Sequence, residues 1–475
     1  MSSAAACTVP GPQRVKWGEN MLRAFLAIWI GRLVALLFRW LKRGGTSLPG
    51  YLALKIDPQL MGRLTSRYEK VIIVTGTNGK TTTTNLLASI LRAAGLKVVH
   101  NSEGANMPAG VATALLARRG EVAVLEVDEG TLGLVTRQVK ADMVIITNLL
   151  RDQLDRYHEL EQLAAAISRA LAAIPAATLV LNADDSLVTS LSQVRENVHY
   201  FGLARTPWSQ ATTSEVLEGH ICPRCRRPLQ FNFYHYSHLG NYYCPQCSYS
   251  RPPADYEARE LELSSAGARF DLVYPAGKLA LRTPMPGIYN VYNVLAAASA
   301  ALLLKIDPAT IARVVATFLP GQGRAETFSL RDKRLTLMLV KNPTGLSVAL
   351  KTLTAGRGKA TYLLAINDLA ADGRDVSWLW DADISPLLQA PYHRIICAGL
   401  RAGDMALCLK YQGVKEADLK VIPGQEESVD FLLGEPVDEG LILCTYTNLA
   451  LYRRILKARG AVSEVTPLPS LSGTP

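Results

Sequence analysis

The stretch Val74-Thr75-Gly76-Thr77-Asn78-Gly79-Lys80-Thr81-Thr82-Thr83 joins a short β-branched run, Val71 to Thr75, to a helical pattern from Lys80 to about Ala94. A glycine-containing turn between a strand and a helix is the setting of a phosphate-binding loop. Gly76 and Gly79 let backbone N–H groups curl around phosphate oxygens, the helix N-terminus adds positive potential, and Lys80 supplies a full charge. Thr77, Asn78 and Thr82 complete the phosphate-facing turn, and Thr81 is placed to offer its hydroxyl to Mg²⁺. The generic nucleotide loop would carry glycine at position 74, where this chain has valine.

Such a loop needs a sheet behind it, and the flanking pattern supplies one. Apolar strand candidates recur at Val98 to Val99, Val122 to Val127, Met143 to Thr147 and Leu179 to Leu181, with helical patterns between several of them. That alternation predicts an α/β fold with a parallel sheet covered by helices. A chain of 475 residues exceeds one ordinary domain, and 49% hydrophobic against 19% charged residues provides for more than one core. After a candidate boundary at Gly321-Gln322-Gly323-Arg324, a second α/β set follows, with strands near Thr336 to Val340, Tyr362 to Ile366, Arg394 to Ala398, Leu419 to Ile422 and Leu441 to Thr445. The expected organisation is an N-terminal basic and apolar helical segment (1–50), a phosphate-loop domain (51–325) interrupted at 218–253, a Rossmann-like α/β domain (326–460) and a tail (461–475).

The interruption carries Cys222-Pro223-Arg224-Cys225 and Cys244-Pro245-Gln246-Cys247, while Cys7, Cys397, Cys408 and Cys444 are scattered. This is no disulfide framework, and it suits a reducing, cytoplasmic compartment. Two CxxC knuckles can close a tetrahedral thiolate site with no open position, so the expectation is a zinc ribbon with structural Zn²⁺; a redox dithiol is the alternative. Basic and aromatic neighbours such as Arg224, Arg226, Tyr234 and Tyr242 would also suit nucleic acid. Because the module interrupts a phosphate-loop domain, an ordered insertion without a nucleic-acid partner is expected.

The formal net charge of +10 favours an anionic partner or a merely basic surface. Met21 to Arg43 is apolar but punctuated by bases, with Arg32 at its middle. A charge there costs a spanning helix roughly 2.5–3.5 kcal/mol. On a helical wheel Arg32, Arg39 and Arg43 gather on one side, which predicts a buried or membrane-surface helix, not a span.

Polar positions beyond the loop sharpen the picture. Val124-Leu125-Glu126-Val127-Asp128-Glu129 ends a strand in three carboxylates, at the sheet end where ligands bind. Thr147-Asn148-Leu149-Leu150-Arg151-Asp152-Gln153-Leu154-Asp155, Asn182-Ala183-Asp184-Asp185, Gly287-Ile288-Tyr289-Asn290-Val291-Tyr292-Asn293 and Gly323-Arg324-Ala325-Glu326 follow. With Gly-Thr-Asn-Gly-Lys-Thr-Thr, these segments resemble the Mur ligase family, ATP-dependent enzymes that activate a carboxylate as an acyl phosphate. The resemblance implies that Glu126 holds Mg²⁺, that Asn182 and Asn290 lie on the ATP side, and that Arg324 approaches the transferring phosphates. Gln153 stands where many members have a metal-site histidine.

Within that family the four-cysteine insertion and the segment Asn367-Asp368-Leu369-Ala370-Ala371-Asp372-Gly373-Arg374-Asp375-Val376-Ser377-Trp378 resemble the MurT branch, over roughly residues 43 to 455. The residues before Val71 are too few for the UDP-binding domain of the amino-acid-adding ligases. This branch implies ATP-dependent amidation of the D-glutamate α-carboxylate of lipid II at the cytoplasmic face of the membrane. Ammonia would come from a GatD-type glutamine amidotransferase in a heterodimer, whose triad Asp372 or Asp375 would complete. Asn342-Pro343-Thr344-Gly345-Leu346-Ser347 departs from the family's Asn-Pro-x-Gly-Phe-Asn, and Asp383-Ile384-Ser385 lacks the usual Phe-Glu. The rival expectations are an amino-acid-adding or folylpolyglutamate-type ligase, and a zinc-ribbon ATPase that binds nucleic acid.

Overall fold

A computed structural model of the chain describes residues 17–40, 47–101, 105–117, 119–150, 160–192, 195–212, 219–264, 266–319, 326–354 and 358–463. Two large sheets organise it. The first has nine strands, in the spatial order Gly277–Thr283, Gly267–Tyr274, Tyr256–Ser264, Val198–Leu203, Thr178–Asn182, Met143–Ile146, Lys70–Thr75, Val122–Glu126 and Val98–His100. All neighbours from Val98–His100 to Tyr256–Ser264 pair in parallel; the last two strands are antiparallel. The central strand Lys70–Thr75 is apolar from Val71 to Val74 because both faces are covered there. Ile72 and Val74 face the helices Lys80–Ala93, Ile288–Leu303 and Pro308–Thr317, while Val71 and Ile73 face the helices Leu60–Thr65, Pro108–Ala117 and Leu160–Ala172.

The second sheet has seven strands, ordered Leu419–Val421, Tyr392–Ala398, Ala360–Ala365, Glu439–Cys444, Lys333–Leu339, Glu326–Leu330 and Val462–Ser463. The first five run parallel, and the inner ones are again apolar on both faces. Cys397, Cys408 and Cys444 are core residues, and burial pushes the Cys397 thiol up to about 12, so these thiols are packing groups. The strands expected from sequence in both α/β sets are present. The three-stranded antiparallel extension formed by 256–283 was not anticipated. The proposed boundary at Gly321 to Arg324, Gln153 with its neighbours, Glu218 and the tail from Thr466 lie outside the described residues.

The cysteine module is a hairpin, Gln230–Tyr236 with Leu239–Tyr243, flanked by the two CxxC knuckles. It docks on the short helix Ser186–Ser190. Tyr249 Oη lies 2.8 Å from Thr189 Oγ1, Tyr242 Oη also meets Thr189 Oγ1, and Ser186 Oγ donates to the Gly219 carbonyl. Beside this contact a buried ionic network fastens the antiparallel extension. Asp184 accepts from Arg251 Nε at 2.5 Å, from Tyr292 Oη at 2.7 Å and from the Leu203 amide at 2.8 Å, and its side chain is fully buried.

Removing Asp184 would strand a buried guanidinium and a buried phenol. Asp184→Ala is therefore expected to cost about 3–5 kcal/mol, read as a lowered midpoint of thermal unfolding, and adding Arg251→Met should recover part of the loss. An Asp184→Ala protein that unfolds with the parent would refute the network.

Candidate active site

The loop after strand Lys70–Thr75 is shaped by two left-handed glycines, Gly76 at φ 121° and Gly79 at φ 88°. Neither tolerates a side chain. A Cβ on Gly76 would collide with Thr147 Oγ1, and one on Gly79 with the Asn293 amide. Gly79 caps the helix Lys80–Ala93, so the helix N-terminus opens directly onto the loop.

The loop is held from below by the Thr147 to Leu150 segment. Asn148 Oδ1 accepts from the Asn78 amide at 2.9 Å, Thr147 Oγ1 donates to the Asn78 carbonyl at 2.7 Å, and the Leu150 amide donates to Thr77 Oγ1 at 3.0 Å. That segment rests in turn on Asn182, whose Nδ2 donates to the Thr147 carbonyl at 2.9 Å, and on Asp185, which accepts from the Leu149 amide at 2.7 Å. Asn182 is fully buried beneath the loop, with its carbonyl oxygen on the Asp184 amide. The structure thus places Asn182 as a support under the loop.

Lys80 is almost fully buried, its ammonium held by the Gly76 carbonyl, the Thr77 carbonyl at 3.0 Å and Glu129 Oε2 at 2.8 Å. Burial pulls its pKa down, but Glu129, with Asp128 and Glu126 behind it, more than reverses that and leaves the ammonium above its ordinary value. The lysine is a fixed positive charge at the loop's centre.

Parallel pairing of Val74 with Glu126 brings the acidic strand end beside the loop. Thr81 Oγ1 donates to Glu126 Oε1 at 3.1 Å, and Asn106 Nδ2 donates to the same oxygen at 3.0 Å. Asn101 clamps the Glu126 backbone, accepting from its N–H and donating to its C=O, each at 2.8 Å. The other carboxylate oxygen, Oε2, is buried with no hydrogen-bond partner among the described residues. A buried unpartnered carboxylate oxygen beside a threonine hydroxyl is a donor set that suits Mg²⁺, a hard cation taking oxygen ligands. Thr81 and Glu126, singled out from sequence, are therefore together; Asn101 and Asn106 were missed, and no local pattern marks them.

Next to the loop a cleft separates the first sheet's domain from the second. Asn78, Gly79 and Thr82 line it with Tyr236, Tyr289, Asn290 and Asn293 on one side and Met338, Val340, Lys341, Asn342 and Val348 on the other. Asn290 is oriented by its own hydrogen bonds to the Pro286 carbonyl and Asn293. Asn342 Nδ2 reaches across the cleft to Asn78 Oδ1 at 3.2 Å, and Lys341 is close enough to draw on the Glu129 carboxylate. Lys341 and Tyr236 had no signal in the sequence, because the folding of distant segments brings them to the cleft. Ser347, a departure from the family pattern, accepts from the Asp383 amide at 2.9 Å and so ties two of the divergent segments together. Arg324 lies outside the described residues.

Away from the cleft, the four sulfurs of Cys222, Cys225, Cys244 and Cys247 lie within 4.8 Å of one another. The Cys222–Cys247 and Cys225–Cys244 sulfurs are 3.6 and 3.4 Å apart. A tetrahedral ion at about 2.3 Å from each sulfur separates them by about 3.8 Å, so the cluster fits such a site.

The two aspartates offered by the sequence differ in what they do. Both oxygens of Asp372 are used by Thr447, from its amide at 2.7 Å and its hydroxyl at 2.6 Å, in a buried setting. Asp375 is half-exposed and caps the turn at Ser377 through Oδ1 alone.

Comparison with known proteins agrees with this architecture. The Mur ligase middle domain matches residues 74–221 and 233–301, and the MurT ligase C-terminal domain matches residues 339–449. The chain is 34% identical over 403 residues to the lipid II isoglutaminyl synthase (glutamine-hydrolyzing) subunit MurT of Staphylococcus aureus strain COL, covering 83% of this chain and 89% of that one. It is 32% identical over 449 residues to the same subunit of Streptococcus pneumoniae R6, covering 93% and 99%. A pseudomurein peptide ligase type C from Methanothermus fervidus shares the fold with a TM-score of 0.64 at 24% identity, covering 82% of this chain and 79% of that one. MurF from Acinetobacter baumannii does so with a TM-score of 0.63 at 19% identity, over 86% and 80%. With a Mur ligase core, a MurT C-terminal domain and relatives matched over most of their length, the chain belongs to the MurT family of Mur ligases.

Proposed function

We propose that the chain uses ATP to activate the D-glutamate α-carboxylate of the lipid II stem peptide, and that ammonia from a GatD-type glutaminase subunit converts it to the amide of D-isoglutamine. The observation that carries this is the convergence of Lys80, Thr81 and Glu126, with its unpartnered buried oxygen, at one end of a parallel sheet in a MurT-family chain. The triphosphate would lie over the helix N-terminus at Gly79, and the nucleoside in the adjoining cleft between Asn290 and Asn342. Tyr236, Tyr289, Met338 and Val348 give that cleft the apolar walls that exclude water.

Thr81 and Glu126 would hold the Mg²⁺, which when bound offsets charge on the phosphate oxygens. A carboxylate oxygen of the acceptor attacks the γ-phosphorus, and the bond to the ADP bridging oxygen breaks. Lys80, with Lys341 and Arg324 as further cations, stabilises the charge spread over the transferring group. Ammonia then attacks the acyl carbon, a proton is lost, and inorganic phosphate departs with the C–O electron pair.

For the glutaminase, Asp375 is the better candidate to orient a partner's histidine, because one of its oxygens is not committed to a described hydrogen bond and Asp372 is stitched to Thr447. Exposed apolar residues from the ends of three adjacent strands, Leu369, Leu400 and Tyr446, form a rim suited to that subunit. The cysteine cluster would hold structural Zn²⁺, keeping Tyr236 in the wall of the nucleotide cleft.

Three outcomes are expected. Lys80→Ala should lower amidation of lipid II, followed by mass spectrometry with ATP, Mg²⁺ and the glutaminase, by a factor of about 10³ or more; unchanged turnover would sink the proposal. Asp375→Asn should cut glutamine-driven amidation by about 10³–10⁴ yet leave amidation driven by added ammonium salt near the parent rate, and equal loss of both would assign Asp375 elsewhere. Elemental analysis should find one zinc per chain, and Cys244→Ser should lower the unfolding midpoint and raise KM for ATP more than it lowers kcat; a zinc-free parent with the same stability would refute the metal.

A further inference from the structure

The N-terminal helix Trp17–Trp40 has its side chains distributed in reverse of a helix packed on a soluble core. Its inward stripe is mostly small: Ala24, Ala27, Gly31 and Ala35, with Ala27 fully buried and Ile28 a larger apolar side chain packed on the core. A Cβ on Gly31 would lie 2.7 Å from Leu116 Cδ1 and 3.2 Å from Ala53 Cβ, so the backbone rides directly on the helices Leu48–Ile56 and Pro108–Ala117. Arg32 Nε donates to the Leu116 carbonyl at 3.1 Å and pins the middle of the helix to the domain. Most of the large side chains point outward. Phe25, Trp29, Leu33, Leu36 and Trp40 are 57%, 61%, 66%, 60% and 81% exposed, and Tyr51 of the next helix is exposed as well.

Burying small residues and exposing large ones has no advantage in water, where apolar area is costly. Charge says what covers the face. Residues 21–56 contain no aspartate or glutamate and carry Arg23, Arg32, Arg39, Lys42, Arg43 and Lys55. A base-rich segment with an outward apolar face and two tryptophans matches the headgroup boundary of an anionic bilayer. It disfavours a second copy of the same like-charged face. Crossing the bilayer would require pulling Gly31 and Arg32 off their partners.

We propose that this helix lies flat in the surface of an anionic membrane, outward face down, and presents the active site to a lipid-linked acceptor. The acceptor part rests on the lipid II reading; the membrane part does not. The helix packs on Pro108–Ala117, whose approach residue Asn106 holds Glu126, so membrane contact bears on the acidic end of the site.

The test uses the full chain with its glutaminase partner and vesicles of phosphatidylcholine with or without phosphatidylglycerol. Flotation with the anionic vesicles, weakened at least tenfold by omitting phosphatidylglycerol or raising salt, is the expected result. Trp29→Glu/Leu33→Glu should keep the parent's circular dichroism and its rate on detergent-dispersed lipid II. On vesicle-embedded lipid II its KM should rise tenfold or more at constant kcat. A parent that stays with the soluble fraction overturns the proposal, as does a variant that floats equally well, retention after alkaline carbonate extraction, or a dimer formed through this face. If the parent floats but fails to amidate dispersed lipid II, the functional proposal falls and the membrane contact stands.

Discussion

A buried ammonium dictates the design of the active site. Lys80 has left water for a site where an unpaired charge would be strongly unfavourable, and its neighbours are arranged so that it stays charged: two loop carbonyls, Glu129, and the more distant Asp128 and Glu126. The loop that presents the carbonyls is turned at Gly76 and Gly79, both with left-handed backbone. Those conformations are kept by the supports under the loop, from Thr147 and Asn148 down to Asn182 and Asp185. A charge needed at one point thus fixes residues across four adjacent strands of the first sheet.

The same layer of supports connects to the inserted hairpin. Asp185 caps the helix Ser186–Ser190 through the amides of Leu187 and Val188, and that helix is the platform on which Tyr242 and Tyr249 rest. From the other end of the hairpin, Tyr236 enters the cleft wall and packs edge-on against Tyr292, 5.7 Å between ring centres. The insertion is therefore continuous with the site both below the glycine loop and beside the interdomain cleft.

Much of this was legible in the sequence where the chemistry is local. The phosphate loop, the acidic strand end and the paired CxxC knuckles are each written within a few residues, so their spacing carries their meaning. What was not legible comes from crossovers. Asn101 and Asn106 meet Glu126 because parallel neighbours end at the same level, and Lys341 arrives on another domain. The extension 256–283 hides because its strands carry many charges on their exposed faces and lack the apolar continuity of the central strands. In the N-terminal helix the apolar content was evident, but which side turned outward depended on the small residues that dock it.

The amide pair between Asn342 and Asn78 joins the two domains at the lip of the cleft. A neutral hydrogen bond of this kind contributes about 0.5–1.5 kcal/mol, far less than a buried ion pair would resist. The apolar contacts of Val348 and Tyr289 across the same seam are likewise non-ionic, so under the proposed function the two halves would be free to part for nucleotide exchange and to close again on a fresh triphosphate. On that reading, replacing the amide pair with a stronger tie would trade exchange for closure.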